Sequence, residues 1–273
     1  MGCSQTAPEA ADTAAPEATV TATPAETAEG AATTDDSLQK ILDKGYFIVG
    51  LDDSFPPMGY RDENGEIVGF DIDLAKAVAE EMGIEVKFQP VVWENIALEI
   101  ANGNVDVIWN GCTITDERKE TFDFSDPYME NSQVVIVLKD SPYQTLADLA
   151  GKQIGTQDGS SSEIAIQNNA AFASSIAGIT GYATNDKALL DLVAGRVDAV
   201  VADVTVYGYY YGIDSTTYRR LDEDLGAEEF GVAFKKGATS FRDALQTALD
   251  SVVASGKAKE ISEKWFGYDV TAK

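Results

Sequence analysis

The sequence predicts an α/β protein with two lobes, each a mostly parallel sheet flanked by helices. From residue 38 onward, apolar runs of strand length alternate with segments of helical period, which is typical of parallel sheets built from β-α-β units. The alternation occurs in two series. The segments EIANGNVDVIWNG (99–111) and DLVAGRVDAVVAD (191–203) also echo each other, since each runs from a helix through Gly, a polar residue and Val-Asp into a strand. The repetition predicts two lobes of similar construction.

The first series contains three predicted strands and two predicted helices. In chain order they are the strand YFIVGL (46–51), the helix DIDLAKAVAEEMG (71–83), the strand EVKFQPV (85–91), the helix WENIALEIANG (93–103) and the buried strand VDVIWNG (105–111). Gly83 is expected to end the first helix, because glycine adopts the left-handed conformation at helix C-termini.

The second series repeats the pattern and is followed by a longer C-terminal segment. It comprises QVVIVLK (133–139), QIGTQ (153–157), a helix beginning in GSSSEIAIQNN (159–169), ITGYA (179–183), the helix NDKALLDLVAGR (185–196) and VDAVVAD (197–203). The final helices, 240–256 and 258–267, are expected to return to the first lobe. We therefore assign 37–131 plus 230–273 to lobe 1 and 132–229 to lobe 2, with hinges at 130–133 and 228–231.

Composition excludes several classes of function. The chain has 46 acidic and 20 basic residues, a net charge of −26, which repels phosphate backbones, so nucleic acid is not an expected partner. It has no histidine, which removes the commonest general base and zinc ligand. No catalytic residue, metal site or cofactor is expected.

Residues 1–36 are predicted to be a disordered tether. The stretch 4–34 is mostly Ala, Thr and Pro with scattered acids and has no apolar period. The start MGCSQT fits three interpretations: an N-myristoylation motif, the end of a bacterial lipobox in which Cys3 receives lipid, or a plain start with a free thiol. The chain lacks a run of about 20 apolar residues, so any membrane anchor is expected to be covalent.

The block NGCTITDERKETFDFSDPYM (110–129) resembles the extracytoplasmic solute-binding proteins of polar amino-acid ABC transporters. The segments GFDIDLAKAVAEEMG, GRVDAVVAD, FGVAFKKG and EKWFG follow in that family's order. The resemblance implies a type II periplasmic-binding-protein fold, a monomer that closes over one small-molecule L-amino acid and delivers it to an ABC transporter permease. It also implies attachment to the outer face of the cell membrane through a lipid on Cys3.

The predicted site lies beyond the carboxyl ends of the strands, at Asn110-Gly111 and Asp203, where open α/β sheets bind ligands. The resemblance implies that Arg118 binds the ligand carboxylate and Asp203 its ammonium. The alternative for Arg118 is a surface arginine paired with Asp116 or Glu117. The alternative for Asp203 is an N-cap of the helix that follows it.

Further predicted contacts surround both ends of the ligand. Gly111 and Thr113 would offer a backbone amide, a carbonyl and a hydroxyl near the two charges. Ser161, with Ser160 and Gly159, stands at a helix start that favours a carboxylate. The alternative interpretation is that the serine at this helix start is an ordinary N-cap, in a capping box with Glu163.

The pocket for the ligand side chain is predicted from Asp52, Phe55, Trp93 and Gln157. Phe55 and Trp93 could instead be plain core residues. Because Asp52 repels acidic side chains, we expect polar uncharged amino acids to bind best, basic ones next, and glutamate and aspartate worst. The rival functions are an enzyme on the same fold, such as a cyclohexadienyl dehydratase relative, and a ligand-sensing receptor module.

Overall fold

The computed structural model describes residues 1–2 and 35–271. Contacts divide the chain into two units, Met1–Thr34 and Asp35–Lys273, and every described helix and strand belongs to the second. The predicted tether sequence at 4–34 and the lipidation candidate Cys3 lie outside the described residues. Within the described parts, none of the helices has the length and apolar character needed to cross a membrane.

The elements up to the first long strand are α1 (Ser37–Lys44), β1 (Tyr46–Leu51), β2 (Ser54–Phe55), β3 (Gly59–Arg61), β4 (Ile67–Val68), α2 (Phe70–Met82), β5 (Glu85–Pro90), α3 (Ile96–Ala101), β6 (Val107–Ile108), α4 (Asp116–Thr121), β7 (Phe122–Phe124) and β8 (Met129–Leu138). The elements that follow are β9 (Gln153–Gln157), α5 (Ser161–Asn168), α6 (Ala170–Ser175), β10 (Gly178–Tyr182), α7 (Asn185–Val193), β11 (Ala199–Asp203), α8 (Val204–Ile213), β12 (Tyr218–Phe230), β13 (Ala233–Lys235), α9 (Thr239–Ala254) and α10 (Lys257–Phe266). Short 3₁₀ helices occupy Trp93–Asn95 and Leu146–Leu149.

Two five-stranded sheets share one plan. The first has the order β5-β1-β6-β13-β7 and the second β10-β9-β11-β8-β12. In each, three neighbouring strands are parallel, the fourth strand is antiparallel to them, and the fifth, at the edge, pairs antiparallel with the fourth. The predicted fold class, an α/β protein with helix-flanked sheets, is confirmed. A small sheet of β2, β3 and β4 lies between β1 and α2 in the sequence.

Strands of the first sheet come from residues 46–124 and 233–235, and those of the second from 129–230. The late helices pack against the first sheet: Phe241 of α9 lies 5.9 Å from Phe47 of β1, and Phe266 of α10 lies 5.3 Å from Phe70 of α2, measured between ring centroids. The lobe boundaries assigned from the sequence stay a prediction.

The strand predicted over 105–111 is shorter than expected. Only Val107 and Ile108 pair as β6, with β1 on one side and β13 on the other. The chain then turns at Gly111, whose φ of 56° is left-handed and therefore suited to glycine. This turn directs residues 110–113 away from the sheet and into the site.

Candidate functional site

Side chains from both sheets meet in a small cavity beyond the strand ends. Its volume is about 10 Å³, close to the space occupied by one water-sized sphere. It is lined by Asp52, Phe55, Trp93, Asn110, Gly111, Gln157, Ser160, Ser161 and Asp203. Eight of the ten predicted site residues are in this set, and the other two, Thr113 and Arg118, are hydrogen-bonded to its surroundings. Their role as ligand contacts stays a prediction.

Arg118 is buried and has no acidic partner among residues 35–271. It lies in α4, and its backbone amide donates to the N-cap hydroxyl of Thr115 at 3.1 Å. Its guanidinium donates to two carbonyl oxygens, that of Thr113 at 3.0 Å and that of Gly159 at 3.2 Å, and lies 5.8 Å from the ring of Trp93. The guanidinium also donates to Cys112 Sγ at 3.8 Å. The interpretation as a surface arginine paired with a neighbouring acid is wrong. A buried guanidinium whose acceptors are all neutral keeps its full charge for an incoming anion.

Asp203 and Glu228 form a pair of carboxyl groups that share the same donors. The amide of Asn131 donates to Asp203 Oδ1 at 2.6 Å and to Glu228 Oε1 at 2.6 Å. The amide of Gln133 donates to the same two oxygens at 2.8 and 2.6 Å. Burial raises the pKa of Asp203 well above its usual value, and the adjacent Glu228 raises it further. A cation placed here would favour the ionised form of Asp203.

The N-cap interpretation of Asp203 needs correction. Asp203 occupies the N-cap position of α8, yet its side chain makes no capping hydrogen bond and is used by Asn131 and Gln133 instead. The cap of α5 is Ser160, whose hydroxyl accepts from the Glu163 amide at 3.4 Å. The Glu163 carboxylate accepts from Gly159 N, so the reciprocal capping box is not formed.

Two hydroxyl groups bridge the sheets at this end of the cavity. Thr113 Oγ1 lies 2.9 Å from Ser161 Oγ and donates to Glu228 Oε1 at 2.9 Å. Thr113 follows β6 of the first sheet, whereas Ser161 begins α5 and Glu228 lies on β12 of the second. The bonds therefore join the two halves of the site.

The backbone amide of Gly111, predicted to face the ligand, has another partner. It donates to Oδ2 of Asp71 at 2.7 Å, and Tyr128 OH donates to the same oxygen at 3.0 Å. Burial raises the pKa of Asp71 to about 7. The expectation that this amide serves the ligand is wrong; its bond to Asp71 fixes the turn that carries Asn110 and Thr113.

The opposite end of the cavity holds Asp52 and Gln157. Gln157 Nε2 donates to Asp52 Oδ2 at 2.7 Å, and the other oxygen of Asp52 accepts from Ser54 N at 2.9 Å and Ser54 Oγ at 2.6 Å. Asn185 fixes the Gln157 amide by donating to its oxygen at 3.0 Å. Burial raises the pKa of Asp52. This end therefore presents a desolvated carboxyl group beside an oriented amide.

Aromatic rings form the walls. Phe55 and Trp93 are each 6% exposed and line the cavity while also packing into hydrophobic clusters. The core interpretation and the wall interpretation therefore both describe these rings.

Sequence reasoning missed Glu228, Asn131 and Gln133 as site residues. A signal for two of them was present, because Asn131 and Gln133 are polar residues two apart on β8, whose later residues are apolar and buried. Residues two apart share one face of a strand, so both amides point to the same side.

Comparisons with known proteins identify the family of the chain. The model for bacterial extracellular solute-binding proteins, family 3, matches residues 47–268. The L-cystine-binding protein TcyJ of Escherichia coli K12 is 30% identical over 86% of this chain and 87% of its own length. An ABC uptake transporter substrate-binding protein from Streptococcus pneumoniae with bound histidine is 36% identical, with a TM-score of 0.85 over 88% of this chain and 99% of that one.

A further solved structure is an ancestral arginine-binding protein bound to glutamine. It is 38% identical to this chain, with a TM-score of 0.75 over 82% of this chain and 98% of that one. Sequence and fold together lead to one conclusion: the chain belongs to the bacterial extracellular solute-binding proteins of family 3.

Proposed function

We propose that the protein binds one free L-amino acid in this cavity outside the cytoplasm and delivers it to the permease of an ABC importer. The observation that carries the proposal is the distribution of charge. Among the described residues, Arg118 has no acidic partner at one point of the site, and the Asp203–Glu228 pair has no basic partner at another. A zwitterion supplies both missing charges, and desolvating it is favourable only where both are matched.

The side-chain end supports a ligand that donates hydrogen bonds. Asp52 and the oxygen of Gln157 are acceptors, and both lie beside the aromatic walls. Counting Glu228, the site holds three carboxyl groups against one guanidinium, so a cationic side chain would reduce its negative charge. We therefore rank basic amino acids above polar uncharged ones, which reverses the order expected from the sequence, and keep glutamate and aspartate last. Relatives named for binding cystine, histidine and arginine support a donor-bearing ligand.

A thermal-shift panel of the twenty common amino acids tests the proposal. A ligand at 100 times its dissociation constant should add about 2.7 kcal/mol to the free energy of unfolding. Arginine, lysine or histidine should give the largest shift. A largest shift with glutamate or aspartate would refute the role of Asp52, and no shift with any amino acid would refute amino-acid binding itself.

Two variants test the assignment of the two ends. Arg118→Ala and Asp203→Ala should each weaken binding of the best amino acid by several kcal/mol, because each leaves a ligand charge buried and unpaired. Arg242→Ala, which removes an arginine paired with Asp243 on α9, is the matched control and should leave affinity unchanged. Calorimetric losses below tenfold for both site variants would remove them from the site.

We also propose that Cys3 carries a lipid that holds a monomer at the outer face of the membrane. The support is the Gly2-Cys3 pair before a polar, acidic segment. Cys3→Ala should move the protein from the membrane fraction to the medium, and continued membrane association would contradict the anchor. Removal of residues 4–34 should not change ligand affinity. It leaves Asp35 in place, whose carboxylate accepts from Thr239 Oγ1 at 2.9 Å.

We propose binding without catalysis. Asp52 and Asp203 are the acids of the cavity whose pKa burial raises towards that of a general acid, but amide groups donate to both and hold them as acceptors. An assay with prephenate and arogenate should show no turnover, and measurable turnover that Asp203→Asn abolishes would favour an enzyme instead.

A further inference from the structure

The chain segments that carry the two sheets touch closely beside the amino-acid site. Gly159 lies in the turn between β9 of the second sheet and α5, and Glu94 lies in the 3₁₀ helix between β5 and β6 of the first sheet. A Cβ built on Gly159 would lie 2.9 Å from Cα of Glu94 and 3.5 Å from its Cβ. Non-bonded carbon atoms attract best at about 3.5–4.0 Å, so this position has no room for a side chain.

The carbonyl group of the same glycine makes a second contact with the part of the chain that forms the first sheet. Its oxygen accepts from Nη2 of Arg118 at 3.2 Å, and Arg118 lies in α4, between β6 and β7. The guanidinium of Arg118 lies 5.8 Å from the ring of Trp93, the residue before Glu94. Gly159 therefore contacts both the arginine proposed to hold the ligand carboxylate and the segment that carries one aromatic wall of the cavity.

Arg118 keeps donors for a ligand while it holds this carbonyl oxygen. A guanidinium has five N–H groups in one plane. In the described structure Nη1 donates to the carbonyl of Thr113 and to Cys112 Sγ, and Nη2 donates to the carbonyl of Gly159. These bonds leave one N–H of Nη2 and the N–H of Nε, enough for two bonds to a carboxylate. One guanidinium can therefore bind the ligand carboxylate and the closed position of Gly159 together.

We propose that Gly159 is a positioning residue for ligand binding, because its lack of a side chain lets the two sheets close until its carbonyl oxygen reaches Arg118. This role rests on the proposed function. A Cβ at position 159 would meet the backbone of Glu94, so no rotation of the Glu94 side chain would relieve the contact. The sheets would stop short of the closed position and Arg118 would lose its bond to the carbonyl. Every amino acid should then lose affinity by a similar factor, since the contact involves no group that touches the ligand side chain.

A second glycine separates the effect of this contact from the effect of backbone strain. Gly159 has φ 68° and Gly151 has φ 71°, so alanine carries a similar conformational cost at each position. A Cβ built on Gly151 has nothing within 4 Å. Gly151→Ala is therefore the matched control for Gly159→Ala. Both variants should lower the melting temperature by a similar amount, and only Gly159→Ala should lower the affinity for amino acids.

Titration calorimetry of the full chain with arginine and with histidine tests the proposal. Gly159→Ala should weaken the binding of each by at least about tenfold, while the ratio of the two affinities stays within about twofold of the wild type. Gly151→Ala should bind both as the wild type does. Wild-type affinity in Gly159→Ala would overturn the role of Gly159 alone, and so would a loss confined to one of the two ligands. A wild type that binds no amino acid would refute the proposed function and this role with it.

A second variant and a second measurement separate closure from a local change in the turn. Asparagine adopts the left-handed conformation more readily than alanine, so Gly159→Asn adds a Cβ with less backbone strain. It should lose as much affinity as Gly159→Ala while melting closer to the wild type. Small-angle scattering at saturating arginine should give a larger radius of gyration for both Gly159 variants than for the wild type, and the wild-type radius for Gly151→Ala. A local change at the turn would leave the radius unaltered, so wild-type radii in both Gly159 variants would overturn the proposal.

Discussion

At the scale of single residues, the site is built from carboxyl groups that the fold has removed from water. Burial raises the pKa of Asp52, Asp71 and Asp203 alike. Asp203 shares its two amide donors with a second acid, Glu228, which raises its pKa further, and neither acid forms a salt bridge within residues 35–271. An incoming ammonium group therefore gains most at Asp203 and Glu228, which is why ligand binding and proton release should be linked there.

The first prediction concerns this linkage. An ammonium group beside Asp203 lowers the raised pKa of that carboxyl group, so ligand binding releases a proton. Affinity therefore rises with pH until the pH exceeds the pKa of Asp203 in the ligand-free protein. Glu228→Gln removes the negative charge that, in addition to burial, raises the pKa of Asp203. The substitution should therefore weaken the pH dependence of the affinity. Calorimetry from pH 5 to 8 in buffers of different ionisation enthalpy measures the released protons. Equal release by the wild type and Glu228→Gln would contradict the contribution of Glu228 to the raised pKa of Asp203.

The second prediction concerns Asp71. Its carboxyl group titrates near 3.8 in the unfolded chain and at about 7 in the folded one, so the folded state binds more protons between these values. The contribution of Asp71 to stability therefore falls as pH rises from about 4 to 7, by at most about 1.4 kcal/mol per pH unit. Asp71→Asn should remove this decline, since an amide oxygen can still accept from Gly111 N. Urea unfolding at several pH values measures it.

Asp222→Asn is the control for that experiment, because Asp222 is exposed on β12. It should leave the dependence of the unfolding free energy on pH as in the wild type. An unchanged slope in Asp71→Asn would show that another group titrates in this range.

The predicted site residues cluster as expected because strand ends can be located from a sequence. The apolar runs 46–51 and 197–203 mark where Asp52 and Asp203 must lie, and parallel strands place their ends at one edge. Glu228 could not be located in this way, since its position depends on the register between β12 and β8. The buried position of Asp71 was not predicted for another reason, because an acid in the first turn of a helix is usually exposed to solvent.

At the scale of elements, the long periodic segments were predictable and the short ones were not. The predicted strands 46–51 and 153–157 match β1 and β9, and Gly83 ends α2 in the left-handed conformation. The small sheet of β2, β3 and β4 has strands of two or three residues, too short to show a period. The 13-residue strand β12 was missed because two irregularities in its register interrupt the alternation of side chains.

The third prediction compares the two ends of α2. Gly69, at the N-cap, has φ 147°, and a Cβ there would lie 2.2 Å from the carbonyl oxygen of Met58. Gly83, at the C-terminal end, has φ 69° with nothing within 4 Å of its Cβ position. Gly69→Ala should therefore lower the unfolding free energy by several kcal/mol, and Gly83→Ala by about 1 kcal/mol. Urea denaturation compares them, and equal losses would mean that the contact with Met58 relaxes without cost.

At the scale of the whole molecule, a small number of strands and hydrogen bonds connect the two sheets that line the cavity. The strands β8 (129–138) and β12 (218–230) run beside each other. Isolated β-bridges join Thr113 to Phe230 and Met129 to Thr271, at the last residue of β12 and the first residue of β8. Hydrogen bonds across the cavity link Asp52 to Gln157 and Thr113 to Ser161. An opening motion would break these bonds together with those from Thr113 to Glu228 and from Arg118 to the Gly159 carbonyl.

The last prediction concerns that motion. We expect rotation at Glu130–Gln133 and Glu228–Gly231 to separate the sheets. The best amino acid of the panel should favour the closed form, because in the proposed site its two ends would contact groups of both sheets. Small-angle scattering should show a smaller radius of gyration with saturating ligand. Gln157→Ala removes the bond to Asp52 and should increase the fraction of open molecules without ligand, enlarging the contraction on binding. The control is Gln39→Ala on α1, because the Gln39 side-chain amide donates to Asp43 of the same helix and lies outside the cavity lining; this variant should behave as the wild type. An equal radius with and without ligand would contradict a hinge that closes on the amino acid.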